Sequence, residues 1–502
     1  MNAGRRGGST GFRKVASAAA AVALVATTGA CIFGPDRFDV QVADEAPAST
    51  VLAGKDPSRT AIALSAALFE SADGAVVATE DSVDALAEVS SRSGLPLLIG
   101  TDQEVAAELE RLGTKTVVTA EGTDVSSLAD GLDVEEIDPA DSEADLPEAG
   151  GDREPAPVSL FVDPELDDPA QAVARAEVEA AGGAVTEMPG GDPGRSSDAV
   201  AEAKDAIGGD PSSGVLAVGE SFGPAEKWAS TLQITLTAPE LPGGGTSVFP
   251  GRRMIAAYGS PGIPSLGILG EQGVQESIDR VTQLAEDYSG LTDEPVVPAF
   301  EIITTLASSQ PGADGDYSSE LDPEMLREWV DAAGDAGVYV VLDLQPGSTD
   351  FLTQAKRYED LLAEPHVGLA LDAEWRLEPG QKHLEQIGSV SAEEVNETSR
   401  WLADLTSDHG LPQKALILHQ FSSSMITDRQ NLDTSRPELA LTVHADGHGT
   451  PDSKLETWNA LQKDLPEGIF MAWKNFYDED TPTFAPEQTY EVEPRPWFVS
   501  YQ

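Results

Sequence analysis

Cysteine is almost missing from this 502-residue chain: Cys31 is the only one. A lone cysteine excludes any intrachain disulfide and the cysteine-rich zinc motifs, so the folded body must rest on apolar burial. Basic residues are scarce as well, with 31 Lys and Arg against 87 Asp and Glu and a formal charge of -56. That balance excludes a nucleic-acid-binding role, which needs a basic footprint to displace counterions, and it disfavours anionic membrane surfaces. No apolar run reaches the roughly 18 residues of a membrane span, so no spanning helix is expected. Also lacking are a nucleophile elbow of the G-x-S-x-G type, a close-spaced H-E-x-x-H pair and a phosphate cradle; Gly182-Gly183 and Gly243 to Gly245 have no strand-loop-helix context. Excess acid keeps a protein soluble and is a common background, so it assigns no function by itself. With 40% hydrophobic residues the chain can build ordinary cores, and its length suits two or three domains of roughly 100–200 residues each.

The first thirty residues read as a secretory leader. Arg5, Arg6, Arg13 and Lys14 precede the apolar run Val15 to Ala26, and small residues then lead to Cys31. Thr28-Gly29-Ala30-Cys31 resembles a bacterial lipobox, with Thr28 where leucine is usual. The resemblance implies cleavage before Cys31 and lipidation of its thiol, hence export and attachment to the outer face of the cytoplasmic membrane by lipid alone. Residues 31–55, rich in Pro, Ala, Ser and acids without periodicity, read as the anchor and a flexible tether.

Residues 56–132 alternate short apolar runs with helical spacing: a helix from Arg59 to Glu70, a strand at Ala75 to Ala78, a helix at Ser82 to Ser91, a strand at Leu95 to Ile99, a helix at Glu104 to Leu112 and a strand at Thr116 to Thr119. Ser58-Arg59-Thr60-Ala61 at a helix start, Ala75-Val76-Val77-Ala78 followed by Ser82-Val83-Asp84-Ala85-Leu86-Ala87, and Leu95-Pro96-Leu97-Leu98-Ile99 resemble the bacterial cell wall binding repeat of type 2. That resemblance implies a three-layer α/β unit and a cell-wall polymer or envelope glycan as partner. Residues 158–238 hold a second, degenerate unit: strands Val158 to Val162, Val185 to Met188 and Val215 to Val218, with helices Pro169 to Ala181 and Ser197 to Ile207. Between the two units, residues 133–157 read as a solvated acidic linker, since Asp130 to Asp152 carries ten acids and no Lys or Arg.

After the Pro-Gly-Gly-Gly boundary, residues 252–502 match the length of a (β/α)8 barrel of roughly 250 residues. Seven apolar runs predict strands: Met254 to Tyr258, Val296 to Phe300, Val338 to Leu342, Val367 to Leu371, Ala415 to Leu418, Leu439 to Val443 and Ile469 to Ala472. Trp497 to Tyr501 is a candidate eighth, preceded by a proline-rich stretch with no clear helix. Helices are expected at 273–288, 323–336, 351–362, 392–408 and 454–463, with Asp322 as a cap before Pro323.

Most of these runs end in residues capable of chemistry, and enzymes of this architecture work at the C-terminal ends of the strands. Asp372 and Glu374, two apart, point to one face with Ala373 on the other. Paired carboxylates suit glycoside hydrolysis, one acid serving the leaving oxygen and one base or nucleophile acting on the other side. The run Leu369 to Trp375 resembles the D-x-E strand end of glycosidase barrels, including lysozyme-like and chitinase-like families. Glu301 and Asp343 complete the catalytic candidates. Tyr258, Trp375, His419, Gln420, His444, Asp446, Trp473 and Lys474 are the substrate-binding candidates, the aromatics for stacking on sugar faces. The expectation includes no metal and no cofactor. A binding module without turnover is the competing expectation for the same cleft.

Overall fold

The computed structural model describes residues 37–52, 54–128, 131–138, 148–150, 154–208 and 214–502. The leader and Cys31 lie outside the described residues. Two parallel four-stranded sheets make the N-terminal half. In the first, the order is Leu97–Ile99, Gly74–Ala78, Thr116–Ala120, Asp133–Ile137. In the second it is Ala184–Glu187, Val158–Val162, Gly214–Val218, Thr50–Leu52. Helices Pro57–Leu68 and Val83–Ser93 pack on helix Pro169–Ala180, and one continuous core runs through both sheets. Asp56 and Asp168 cap their helices from the residue before a proline, each accepting a backbone N–H of the first turn.

Two expectations are corrected here. Residues 37–52, read as tether, supply the edge strand Thr50–Leu52 and the strand Val40–Val42, which pairs antiparallel with Phe69–Ala72. The acidic linker likewise contributes Asp133–Ile137 beside Thr116–Ala120. Edge strands are short and half exposed, so they lack the apolar run that marks a central strand. A helix at Ala225–Thr237, burying Trp228 and Leu232, also went unread.

The C-terminal half is a closed barrel of eight parallel strands in sequential order: β1 (Arg253–Gly259), β2 (Val296–Ala307), β3 (Tyr339–Leu344), β4 (Val367–Asp372), β5 (Lys414–Gln420), β6 (Leu439–Ala445), β7 (Phe470–Asn475) and β8 (Phe498–Tyr501), with β1 pairing both β2 and β8. All seven expected strands and the candidate eighth are present. Helices Val274–Ser289, Pro323–Asp335, Ala392–Asp408 and Pro451–Leu461 pack outside, and the segment 351–362 forms two short helices joined by a 3-10 turn. Asp322 caps its helix as expected, accepting from Glu324 N at 3.0 Å. Between β5 and β6 the chain makes only 3-10 turns and a two-residue strand, and only the short helix Pro486–Tyr490 precedes β8.

Alternation along the strands sorts the barrel into two cores. Outward residues such as Ile255, Leu342, Leu371, Leu418 and Trp473 pack against the helices. Inward residues make a narrow interior rich in alanine: Ala256, Ala299, Ala370, Ala415, Ala440 and Ala472, closed below by Val248 and Phe249. Space there is tight. A Cβ on Gly368 would lie 2.6 Å from the Ala415 carbonyl oxygen and 2.8 Å from the Tyr339 hydroxyl, so glycine is required for close approach. Above the alanines the interior turns polar.

Candidate active site

Each barrel strand gives one polar side chain to the layer above the alanines: Tyr258, Glu301, Asp343, Asp372, His419, His444, Lys474 and Ser500 in order from β1 to β8. The period of two that buries Met254 and Ala256 also turns Tyr258 inward, and the same holds on every strand. Over this layer lies a cavity of about 500 Å3 at the C-terminal strand ends, walled by Tyr258, Gln345, Asp372, Glu374, Trp375, Phe421, Asp446, His448, Lys474 and Phe476.

Asp372 ends β4, and Ala373–Trp375 is a 3-10 turn that Asp372 caps by accepting Glu374 N at 3.1 Å. Both carboxyls face the cavity while Ala373 is buried in the outer core, but Glu374 lies on the turn and not on the strand, so the turn that Asp372 caps aims it and not strand alternation. Burial, joined by the charge of Asp446, raises the Glu374 carboxyl to about 7. Burial carries Asp372 well above the usual carboxylate range, with Asp343 and Asp446 adding to the effect. Asp446 behaves oppositely. Burial pushes it up, but the hydrogen bond and charge of His419 outweigh this and hold it below the usual range.

Beneath the cavity floor, His419 Nε2 lies 2.9 Å from Glu301 Oε1 and its Nδ1 lies 3.0 Å from Asp446 Oδ2. His444 Nδ1 is 3.5 Å from the same Glu301 oxygen, and Ser500 Oγ is 3.2 Å from His444 Nε2. Tyr258 donates its hydroxyl to Asp343 Oδ2 at 3.0 Å, and Lys474 Nζ sits 3.4 Å from the centre of the Tyr258 ring. Burial raises Asp343 to about 6, and the Glu301 charge adds to it while His419 opposes it. Glu301 is held well below its ordinary range, burial being overcome by the two histidines.

The placement of the expected residues is uneven. Asp372, Glu374, Tyr258, Trp375, Asp446 and Lys474 line the cavity. Glu301, Asp343, His419 and His444 form the buried layer under it. Gln420 and Trp473 do not join them: strand alternation turns both outward, since their neighbours His419 and Lys474 point in. Gln420 accepts from Arg429 on the outer face, and Trp473 stacks on Phe484 and meets Trp458 edge-on. His383 backs the Trp375 ring, with 5.2 Å between ring centroids. Gln345, Phe421, His448 and Phe476 also line the cavity and are not among the site candidates, because they follow the strands, beyond the apolar runs. The signal that marks them is position, one to three residues past a strand end.

Donor atoms of Asp372, His419 and Asp446 lie within 4.8 Å of one another, as do those of Glu301, His419 and His444. Both sets share His419, whose two nitrogens already face carboxylates. A metal bound there would have to replace one of these two hydrogen bonds and take the lone pair of a deprotonated nitrogen. What the site can do as it stands is move protons: one cavity acid is kept protonated near neutrality and another is kept ionised.

No protein-family model matches the chain, and no curated protein matches it in sequence. Among solved structures, D-allulose 3-epimerase from Methylomonas sp. is similar at 13% identity, covering 50% of this chain and 84% of the epimerase, with a TM-score of 0.26. A quadruple mutant of α-N-acetylgalactosaminidase from Bifidobacterium bifidum is similar at 11% identity, covering 44% of this chain and 43% of the enzyme, with a TM-score of 0.22. A glycoside hydrolase family 6 enzyme from Coprinopsis cinerea is similar at 15% identity, covering 44% and 60%, with a TM-score of 0.19. The chain thus spans less than two thirds of either hydrolase, and its weak similarity to glycoside hydrolase-like barrels is one of fold.

Proposed function

We propose that the barrel hydrolyses glycosidic bonds in a glycan of the bacterial envelope, with Glu374 as general acid and Asp446 as the ionised partner, base or nucleophile. The observation that carries this reading is the opposed ionisation of two carboxyls on one cavity: Glu374 raised to about 7 and Asp446 held below its usual range. Environments that push two acids apart assign acid and base roles at a single pH. Trp375, Phe421 and Phe476 line the same cavity and provide flat apolar faces for sugar rings. The pairing differs from the Asp372–Glu374 pair expected from spacing. Asp372 is spent on capping the turn that carries Glu374, and its high proton affinity makes it a poor base.

In the same proposal the chain is an exported lipoprotein attached through Cys31, and its N-terminal α/β half binds wall polymer, as the type 2 repeat resemblance implies. A net charge of -56 opposes simple electrostatic attachment to anionic wall polymers, so shape or divalent-cation bridges must supply the binding.

Wild-type protein, Glu374→Gln and Asp446→Asn assayed on purified wall polysaccharides test the barrel. Each substitution should lower kcat by about 10²–10⁴. Wall glycan bound by all three proteins and cleaved by none would assign binding alone. Retention of the full chain on purified wall with and without calcium tests the N-terminal half, and mass spectrometry of the mature N-terminus tests lipidation.

A further inference from the structure

We propose that His419 is a doubly protonated positioning residue, an imidazolium fixed between Glu301 and Asp446 that keeps Asp446 ionised at the cavity wall. It rests on the hydrolytic reading for its consequence in turnover, but its protonation state stands by itself. The argument is one of hydrogen-bond inventory. A carboxylate only accepts, and a neutral imidazole carries a single N–H. With Glu301 and Asp446 both ionised, contacts of 2.9 Å from Nε2 to Glu301 and 3.0 Å from Nδ1 to Asp446 are both hydrogen bonds only when both nitrogens hold protons. Moving a proton to either acid instead would leave an imidazole with one N–H among five carboxyls.

Three acids favour the cation: Glu301 on β2, Asp343 on β3 and Asp446 after β6. Asp372 and Glu374 at the end of β4 also face it, but burial raises both carboxyls and weakens their charge toward neutrality. Tyr258 on β1 gives its ring to His419 at 6.1 Å between centroids. The opposing groups are His444 on β6, whose ring lies 4.7 Å away and which burial keeps neutral-leaning, and Lys474 on β7. Ser500 on β8 reaches His444 and not His419. His419 is completely buried, which by itself disfavours the cation; the charges of Asp343 and Glu301 and the hydrogen bonds to Asp446 and Glu301 outweigh that burial and hold the imidazole well above its ordinary range.

His419 does not line the cavity; it acts on the cavity acids through its hydrogen bond to Asp446 and through its charge. Removing it should let the Asp446 carboxyl rise and should also raise Glu374, which the His419 charge pulls down. Both limbs of the pH–rate profile then move to higher pH.

The deciding experiment uses 15N-labelled full chain, with its six histidines resolved by ring nitrogen NMR and His419 identified through His419→Gln or, should that protein not fold, through the separate perturbations by Glu301→Gln and Asp446→Asn. The expected result is that both His419 ring nitrogens remain protonated at pH 8. A deprotonated nitrogen there, or loss of those N–H signals on stoichiometric binding of zinc or manganese, overturns the proposal. In turnover, His419→Gln should shift both limbs upward by about one pH unit or more; an equal loss at every pH with unshifted limbs overturns the positioning role. If wild-type protein cleaves no glycan, the hydrolytic reading falls while the NMR result still decides the charge of His419.

Discussion

Asp343 shows how a single residue of the polar layer sets a pH dependence. Its folded carboxyl is raised to about 6 against an ordinary 3.8, so between those values the folded state binds more protons than the unfolded chain. Stability therefore falls as pH rises from about 4 through 6, the reverse of an ion-paired aspartate. Asp343→Asn should be more stable than wild type above pH 6, by an amount on the order of 2 kcal/mol, with the gap closing near pH 4. Urea midpoints measured from pH 4 to 8 check this. Strand alternation yields a second prediction. Trp473→Ala empties a site in the outer core and should cost about 3–5 kcal/mol of stability. Trp375→Ala, on the cavity wall, should leave thermal stability nearly intact and raise KM for a glycan substrate.

Among the elements, the connection around β7 holds the cavity wall in place by a buried ion pair. Lys454 Nζ, on the helix after β6, lies 2.9 Å from Asp480 Oδ2 and also donates to the carbonyls of Gly447 and Lys474. Asp480 in turn accepts from Gly449 N and Phe476 N. Lys454→Met leaves the aspartate buried and uncompensated and should destabilise by about 3–5 kcal/mol, whereas Lys454→Met combined with Asp480→Asn should recover part of that in denaturant titration. This pair was not legible in the sequence, because nothing local to Lys454 points to a partner twenty-six residues on. The strands were legible, since Val340 to Leu342 or Leu416 to Leu418 have no other place to be than a buried parallel sheet. Run ends alone do not say which residue faces inward, and so Gln420 and Trp473 stand among the candidates; counting in twos from the alanines of the interior separates His419 from Gln420 and Lys474 from Trp473. The sequence could not tell cavity wall from buried floor. Glu301 and Asp372 both point inward, and only the stagger of the strands puts one below the other.

For the whole molecule, the shared core of the N-terminal half fixes what can fold alone. Helices Pro57–Leu68 and Val83–Ser93 bury against Pro169–Ala180, and Thr50–Leu52 belongs to the sheet whose other strands begin at Val158. A fragment of residues 56–132 should therefore lack cooperative unfolding, while residues 37–238 should unfold in a single transition; circular dichroism with thermal melts distinguishes them. The two units expected to be separate share one core.

The pairing of residues 37–52 into two small ladders and the edge of the second sheet has a mechanical side. A tug on the chain ahead of Arg37 reaches the molecule through the two-residue strand Arg37–Phe38 and the three-residue strands Val40–Val42 and Thr50–Leu52 before it reaches any helix. These ladders are short, but Phe38 and Val40 are members of the core beneath them, so peeling the segment away lengthens the chain only by opening that core. The barrel takes no strand from this segment, and its polar layer lies off that path.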